Sequence, residues 1–216
     1  MKINKTIFYI LMFLPLLAVI VALQFLPDQI PAHYNIENQV DRWGSKYETL
    51  IFPVFVIVFG AFMLGMSKLA AKREMDGNNN ERVYIIIGIV TLIMFDAMTG
   101  FFLYTAFNQI ENLSSTPFDL YQLTAGILGI SMIIMGNIMP KLRMNSFVGV
   151  RTSRSMKNEV LWKKSQRFGG ICFIVGGAVM VIVSLCTREV ICEIISLADI
   201  IIVAIVSAVY TYKVEE

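Results

Sequence analysis

The chain has 216 residues, of which 56% are hydrophobic and only 16% charged, with a formal net charge of +2. An ordinary soluble domain carries roughly a quarter charged residues, so a water-soluble fold is excluded and a lipid bilayer is the solvent of most of the chain. The small net charge excludes a nucleic-acid binder, which needs a concentrated basic face, and no direct contact with nucleic acid is expected.

Six apolar stretches follow one another, bounded by polar clusters: Ile7 to Leu26, Leu50 to Ala71, Val83 to Phe107, Leu120 to Met139, Gly169 to Cys186, and Val190 to Tyr210. A helix needs about 20 residues to cross a hydrocarbon core of about 30 Å, and each stretch is near that length. The alternating pattern of a transmembrane barrel is missing. The predicted fold class is therefore all-α, a polytopic membrane protein with six transmembrane helices. Lys2 and Lys5 precede the first stretch as in a signal peptide, but the apolar run is too long and no small-x-small site follows it; a retained anchor is expected. Pro15 and Pro53 are expected to kink their helices, and Gly176-Gly177 to allow close packing. The spacings Ala61 to Gly65 and Ala125 to Gly129 are candidate helix contacts.

Orientation follows from the placement of Lys and Arg. The N-terminus, the connections Lys68 to Arg82 and Lys141 to Arg167, and the C-terminus together hold fifteen of them; the other side holds Arg42, Lys46 and Arg188. Cytoplasmic loops carry the excess of Lys and Arg, so both ends and the Lys141 to Arg167 connection are expected inside. The segments Pro27 to Glu48 and Asn108 to Asp119 are expected outside, with Thr187 to Glu189 as a tight external turn. Cys172, Cys186 and Cys192 lie in or beside apolar stretches, odd in number and without CxxC spacing. No disulfide framework or zinc site is expected from them, and they are read as buried, reduced and structural.

Two connections are too particular in sequence to be spacers. The external one reads Leu26-Pro27-Asp28-Gln29-Ile30-Pro31-Ala32-His33-Tyr34-Asn35, then Asp41-Arg42-Trp43-Gly44-Ser45-Lys46. Its prolines argue against helix and Gly44 for a sharp bend. His33, Tyr34 and Trp43 suit an interfacial cap with rings at headgroup depth. The functional alternative is a recognition surface in which His33, Trp43 and the Asp41 and Arg42 pair contact an extracellular ligand. A lone histidine without further ligands at fixed spacing gives no metal site, and no cofactor is expected.

The other connection is basic and runs from Gly136-Asn137-Ile138-Met139-Pro140-Lys141 through Asn145 and Gly149-Val150-Arg151-Thr152 to Glu159, Trp162 and Arg167. Pro140 is expected to end the fourth span. Met156 to Phe168 reads as a short helix lying on the membrane, with Val160, Leu161, Trp162 and Phe168 against lipid and Lys163, Lys164 and Arg167 at anionic headgroups. Gly149 to Thr152 reads alternatively as a small basic turn able to hold a phosphate or a carboxylate on the Arg151 fork.

Two carboxylates stand inside spans, Asp96 in the third and Asp199 in the sixth, both near the bilayer midplane. Each costs roughly 2.5 to 3.5 kcal/mol if charged and lipid-facing. With no Lys or Arg inside a span to pair them, at least one is expected protonated, or the two share a proton or cation. One reading makes them an ion path; the other makes each a protonated Asp bonded to neighbours such as Thr99 or Ser131.

The two connections together resemble those of the SdpI-like immunity proteins of Gram-positive bacteria. The external Leu-Pro-x-x-Ile-Pro-x-His-Tyr-Asn and Asp-Arg-Trp-Gly-Ser-Lys is similar to the domain of unknown function, DUF1648, at the N-terminus of such proteins. There Asn38 takes the place of a common glycine and is expected in a left-handed turn. Asn137, Pro140, Asn145, Gly149, Arg151, Thr152, Glu159, Trp162 and Arg167 resemble the SdpI signature. The resemblance implies two regions: residues 1–110 with three spans and the external loop 27–48, and residues 111–216 with three spans and the basic loop 140–168. It implies a bacterial cell-membrane protein that protects a producing cell from a secreted peptide toxin and relays the toxin's presence to a cytoplasmic repressor. The expected site residues are then His33, Tyr34, Asn35, Asp41, Arg42 and Trp43 on one side and the SdpI-signature residues on the other. The alternative is a small proton-coupled transporter or exporter working through Asp96 and Asp199. No nucleophile, base and orienter set is present, so no enzyme is expected.

Overall fold

The computed structural model describes residues 5–73, 77–145 and 148–214, with 70–73 and 77–80 as backbone only. Lys2, counted above among the basic residues, and Ser146-Phe147 within the basic loop lie outside the described residues. The elements are α1 (Lys5–Ala22), β1 (Gln29–Tyr34), β2 (Val40–Ser45), α2 (Ile51–Arg73), α3 (Gly77–Phe107), α4 (Leu120–Ile138), α5 (Glu159–Cys186) and α6 (Glu189–Lys213). All six helices are long and apolar enough to span a bilayer, as the hydropathy pattern predicts. Their outward faces remain apolar, with Leu17, Val58, Leu185 and Ile205 among the exposed residues; in lipid such a face needs no protein cover. The chain is a multi-pass membrane protein.

The helices associate as two groups of three, α1 with α2 and α3, and α4 with α5 and α6. In the first group the seam is built from large side chains. Phe95 of α3 meets Phe52, Phe55 and Phe59 of α2 edge-on, with ring centroids 5.7, 5.4 and 5.2 Å apart. Helix α1 seats Phe8 against Gly88 and Met12 against Gly60, and Phe8, Met12, Val56, Ile85 and Leu92 form the buried core. The second group is held differently. Gly129 and Gly136 of α4 lie against Gly177 and Gly170 of α5 so closely that a Cβ on Gly177 would stand 2.5 Å from the Gly129 carbonyl oxygen. Without side chains between them the two backbones touch, which is how helices gain packing energy where burial from water no longer drives them together. Of the two candidate contact spacings, Ala125 to Gly129 is therefore used. Ala61 and Gly65 face outward, with nothing near Gly65.

The expected external loop is not irregular. It folds as an antiparallel hairpin, with Gln29 opposite Ser45, Pro31 opposite Trp43 and irregular register around His33. Pro31 is tolerated because a two-stranded ribbon has free edges and irregular register, where a missing N–H costs little. The turn is made by Asn35, whose side-chain oxygen accepts from the Glu37 and Gln39 amides at 3.1 and 2.9 Å. Asn38 is left-handed, with φ +61, as expected for a residue in a glycine's place. At the opposite end of the first group, Lys5 pairs with Glu81 at 2.7 Å, tying the starts of α1 and α3.

Candidate functional site

At one end of the bundle the hairpin lies over the first helix group and is fastened to the segment between α3 and α4. The Val40 amide donates to the Glu111 carbonyl at 2.9 Å and the Leu113 amide to the Asn38 carbonyl at 2.8 Å. The Tyr34 hydroxyl donates to the Ile110 carbonyl at 2.8 Å, and the burial that goes with this docking pushes its phenol pKa up. The same segment then reaches the second group. Arg188 donates to the carbonyls of Ser114 and Pro117 at 3.3 and 2.9 Å, and Ser114 to the Glu189 carboxylate at 2.8 Å. Asp119 closes the cap. One of its oxygens accepts from Gln122 at the start of α4 and the other from the Glu189 amide at the start of α6, both at 2.8 Å. A carboxylate at a helix N-terminus satisfies free amides and meets the positive end of the dipole; here one side chain does this for two helices. Sequence reasoning passed over Asp119, although Asp-x-x-Gln ahead of an apolar run is the signature of such a cap.

Between the hairpin and the first helix group is a cleft of about 240 Å³ whose lining includes Val19, Arg42, Glu48, Phe52, Thr99 and Leu103. Its floor is apolar and its rim is charged. Asp41 and Arg42, expected together as contact groups for a ligand, have separate partners. Asp41 meets the His33 Nδ1 at 2.6 Å, and Arg42 meets Glu48 at 2.9 Å. Alternation along β2 explains the separation, because neighbours on a strand point to opposite faces. Glu48 also accepts from the Ser45 amide at 3.1 Å, so the Arg42 fork is held at the cleft by a residue that is itself fixed. A side chain on Gly44 would collide with Glu48 and Ala32, so the glycine serves close approach within β2 and not the sharp bend expected of it. Trp43 lies on the other face and remains 41% exposed.

At the opposite end, the described residues of the basic connection close on α5. Helix α5 is continuous from Glu159 to Cys186, about 42 Å at 1.5 Å per residue, so its first two turns project beyond a hydrocarbon core of about 30 Å. The expected membrane-surface helix over Met156 to Phe168 is thus corrected: most of it is the projecting start of a span. Leu161 and Trp162 are buried against protein, not lipid, whereas Val160 faces out. The Trp162 indole N–H donates to the Leu142 carbonyl at 2.8 Å. Phe168 stacks on Tyr210 of α6 with centroids 3.7 Å apart.

The turn expected to hold a phosphate or carboxylate is occupied from within. The fully buried Gln166 accepts from the Val150 amide at 3.0 Å and donates to its carbonyl at 2.9 Å. Ser155 accepts from the Thr152 amide at 2.9 Å, and Thr152 reaches Thr211 on α6 at 2.8 Å. Gly149 has φ +111 and abuts Gln166, a position no larger residue fills without strain. Asn145 is buried and binds Val148 through both its amide groups, and Pro140 rests against Gly170. The residues singled out here therefore divide: Asn145, Gly149, Thr152 and Trp162 build the loop, whereas Asn137, Pro140, Arg151, Glu159 and Arg167 are exposed.

The intramembrane acids are not brought together. Asp96 belongs to α3 in the first group, and Asp199 to α6, where it lies against Gly176 of α5. Neither Thr99 nor Ser131 bonds Asp96, because their hydroxyls donate to the carbonyls of Phe95 and Ile127 in their own helices. Both Asp96 oxygens and one Asp199 oxygen are buried without a hydrogen-bond partner, as are the hydroxyls of Ser165, Ser196 and Ser207. Cys192 is buried, but Cys186 is exposed at the end of α5 and Cys172 half-buried, which corrects the expectation that all three are core residues.

A six-span helical membrane protein with a hairpin cap at one end and a basic loop closed on its fifth helix at the other is the class these features define. Residues 141–211 match the model of the SdpI/YfhL protein family, and residues 10–57 match DUF1648, a domain of unknown function, so the SdpI-like resemblance of the two connections holds. Over 182 residues the chain is 24% identical to the immunity protein SdpI of Bacillus subtilis (strain 168), covering 83% of this chain and 81% of that relative. This distant similarity relates the chain to a membrane immunity protein. No solved structure matches the chain.

Proposed function

We propose that the protein confers immunity to a secreted peptide toxin, which it meets at the hairpin end, and that it relays the toxin's presence to a cytoplasmic repressor through the basic loop. The carrying observation is the cleft of about 240 Å³ beneath the hairpin, an apolar floor with the Arg42 and Glu48 pair at its rim. That combination suits an amphipathic peptide, whose apolar side chain enters while its polar backbone stays at the rim. The distribution of Lys and Arg supports placing the hairpin outside and both chain ends with the basic loop inside. On this reading residues 1–110 receive the toxin and residues 111–216 carry the output, with Arg151, Glu159 and Arg167 as exposed groups for a protein partner.

A second reading rests on the unpartnered carboxylates. Asp96 and Asp199 with buried, unbonded oxygens are the groups a proton-coupled exporter would use. Survival of a toxin-sensitive host separates the two. Cells expressing wild type, Arg42→Ala, Arg151→Ala or Asp96→Asn at equal membrane levels are challenged with secreted peptide toxins. Under the immunity reading Arg42→Ala at the cleft rim loses protection, Arg151→Ala loses repressor-dependent output, and Asp96→Asn keeps both. Loss of protection in Asp96→Asn alone favours export, and absence of protection by wild type against every toxin overturns both.

A further inference from the structure

On the face of the hairpin turned away from the cleft there is a polar notch of about 310 Å³, lined by Gln39, Val40, Trp43, Glu111 and Asn112. Its two walls come from distant parts of the chain and are locked by the backbone bonds from Val40 to Glu111 and from Leu113 to Asn38. Exposed Trp43 stands on one wall and exposed Glu111 on the other. Glu111 makes no ion pair among the described residues, unlike Asp28, Asp41 and Glu48, which are paired with Lys46, His33 and Arg42. The Asn112 side-chain oxygen is taken by the Ser114 amide.

An indole and a carboxylate without an ion-pair partner lining one notch have the chemistry of cation recognition. The ring attracts an ammonium or guanidinium through its quadrupole, and the carboxylate adds a charge-assisted hydrogen bond. An anion is repelled, and a neutral side chain gains only contact with the ring. The surroundings have the same sign. The three connections at this end carry Asp28, Glu37, Asp41, Glu48, Glu111, Asp119 and Glu189 against Arg42, Lys46 and Arg188, so the local field favours an approaching cation.

We infer that Trp43 and Glu111, in the notch that Gln39 and Asn112 help to line, form a binding site for a lysine or arginine side chain of a peptide. As a statement about a toxin it rests on the reading above that a peptide is received at the hairpin end: the cleft takes an apolar residue and the notch a basic one.

The test uses the full chain purified in detergent micelles, with N-acetyl-lysine methylamide, N-acetyl-arginine methylamide and the neutral N-acetyl-norleucine methylamide as probes. The protein has two tryptophans, and Trp162 is 1% exposed, so a change in emission on adding probe reports Trp43. The expected result is a saturable change with one or both cationic probes and none with norleucine, weakened at least about tenfold in Glu111→Gln and absent in Trp43→Phe. The larger response of the two cationic probes distinguishes lysine from arginine. Glu111 is exposed, so its replacement leaves the fold intact. An equal response to norleucine, or undiminished binding in Glu111→Gln, overturns the site. Probe binding is independent of survival: glutamate-dependent binding without protection keeps the site and removes the immunity reading, and protection without such binding does the reverse.

Discussion

The two helix groups solve the same problem by opposite means. In α1–α3 large rings fill the space between backbones, whereas α4 and α5 dispense with side chains and bring backbone against backbone. Lipid is as apolar as leucine, so neither group gains from hiding its surface, and both depend on the quality of contact alone. The difference shows in what each leaves behind. At the end of the ring-packed group, beneath the hairpin, lies the cleft of about 240 Å³.

The comparison is broken most severely at the glycine seam. Gly177→Leu places a branched side chain against the Gly129 carbonyl, where neither backbone can rotate away. Overpacking costs about 1–3 kcal/mol and occasionally more, and this site is expected at or above the top of that range, seen as a large drop in Tm and in the yield of monodisperse protein. Phe95→Leu tests the ring-packed seam. It removes three edge-on ring contacts, but leucine refills much of the volume, so a loss of about 1 kcal/mol is expected and a Tm shift of a few degrees should be measured. The smallest effect sharpens the contrast: Gly65→Leu faces open space and should stay within about 0.5 kcal/mol of wild type, although Gly65 and Gly129 end identical small-residue spacings in the sequence.

That last pair shows where reading the sequence stops. The six spans are legible because hydropathy over about 20 residues depends on composition alone, and their bounds agree with the helices to within about four residues except at the start of α3, which comes earlier than Val83, and most of all at α5. There the polar run Glu159, Lys163, Lys164, Arg167 hides a helix start that Asn158, capping the Leu161 amide at 2.8 Å, marks in a single residue. The hairpin is obscured by Pro31 and by irregular register, which blur the alternation a strand would otherwise show. The residues of both connections were found because they resemble a family pattern, yet their tasks are set in three dimensions. Nothing in Gln166 itself announces that it completes the turn sixteen positions earlier, and nothing in Glu111 announces that it stands beside Trp43.

Helix α5 ends at Cys186, next to the turn fastened to the cap, and begins with the residues that clasp the basic loop. It is a single uninterrupted rod of about 42 Å, and a rod pivoting at its middle is a lever. A tilt of about 5° carries each end roughly 2 Å in opposite directions, and Trp162 and Gln166 would carry the loop with them. The clasp that ties the loop to α5 thereby makes its position a gauge of the angle at which α5 crosses the membrane.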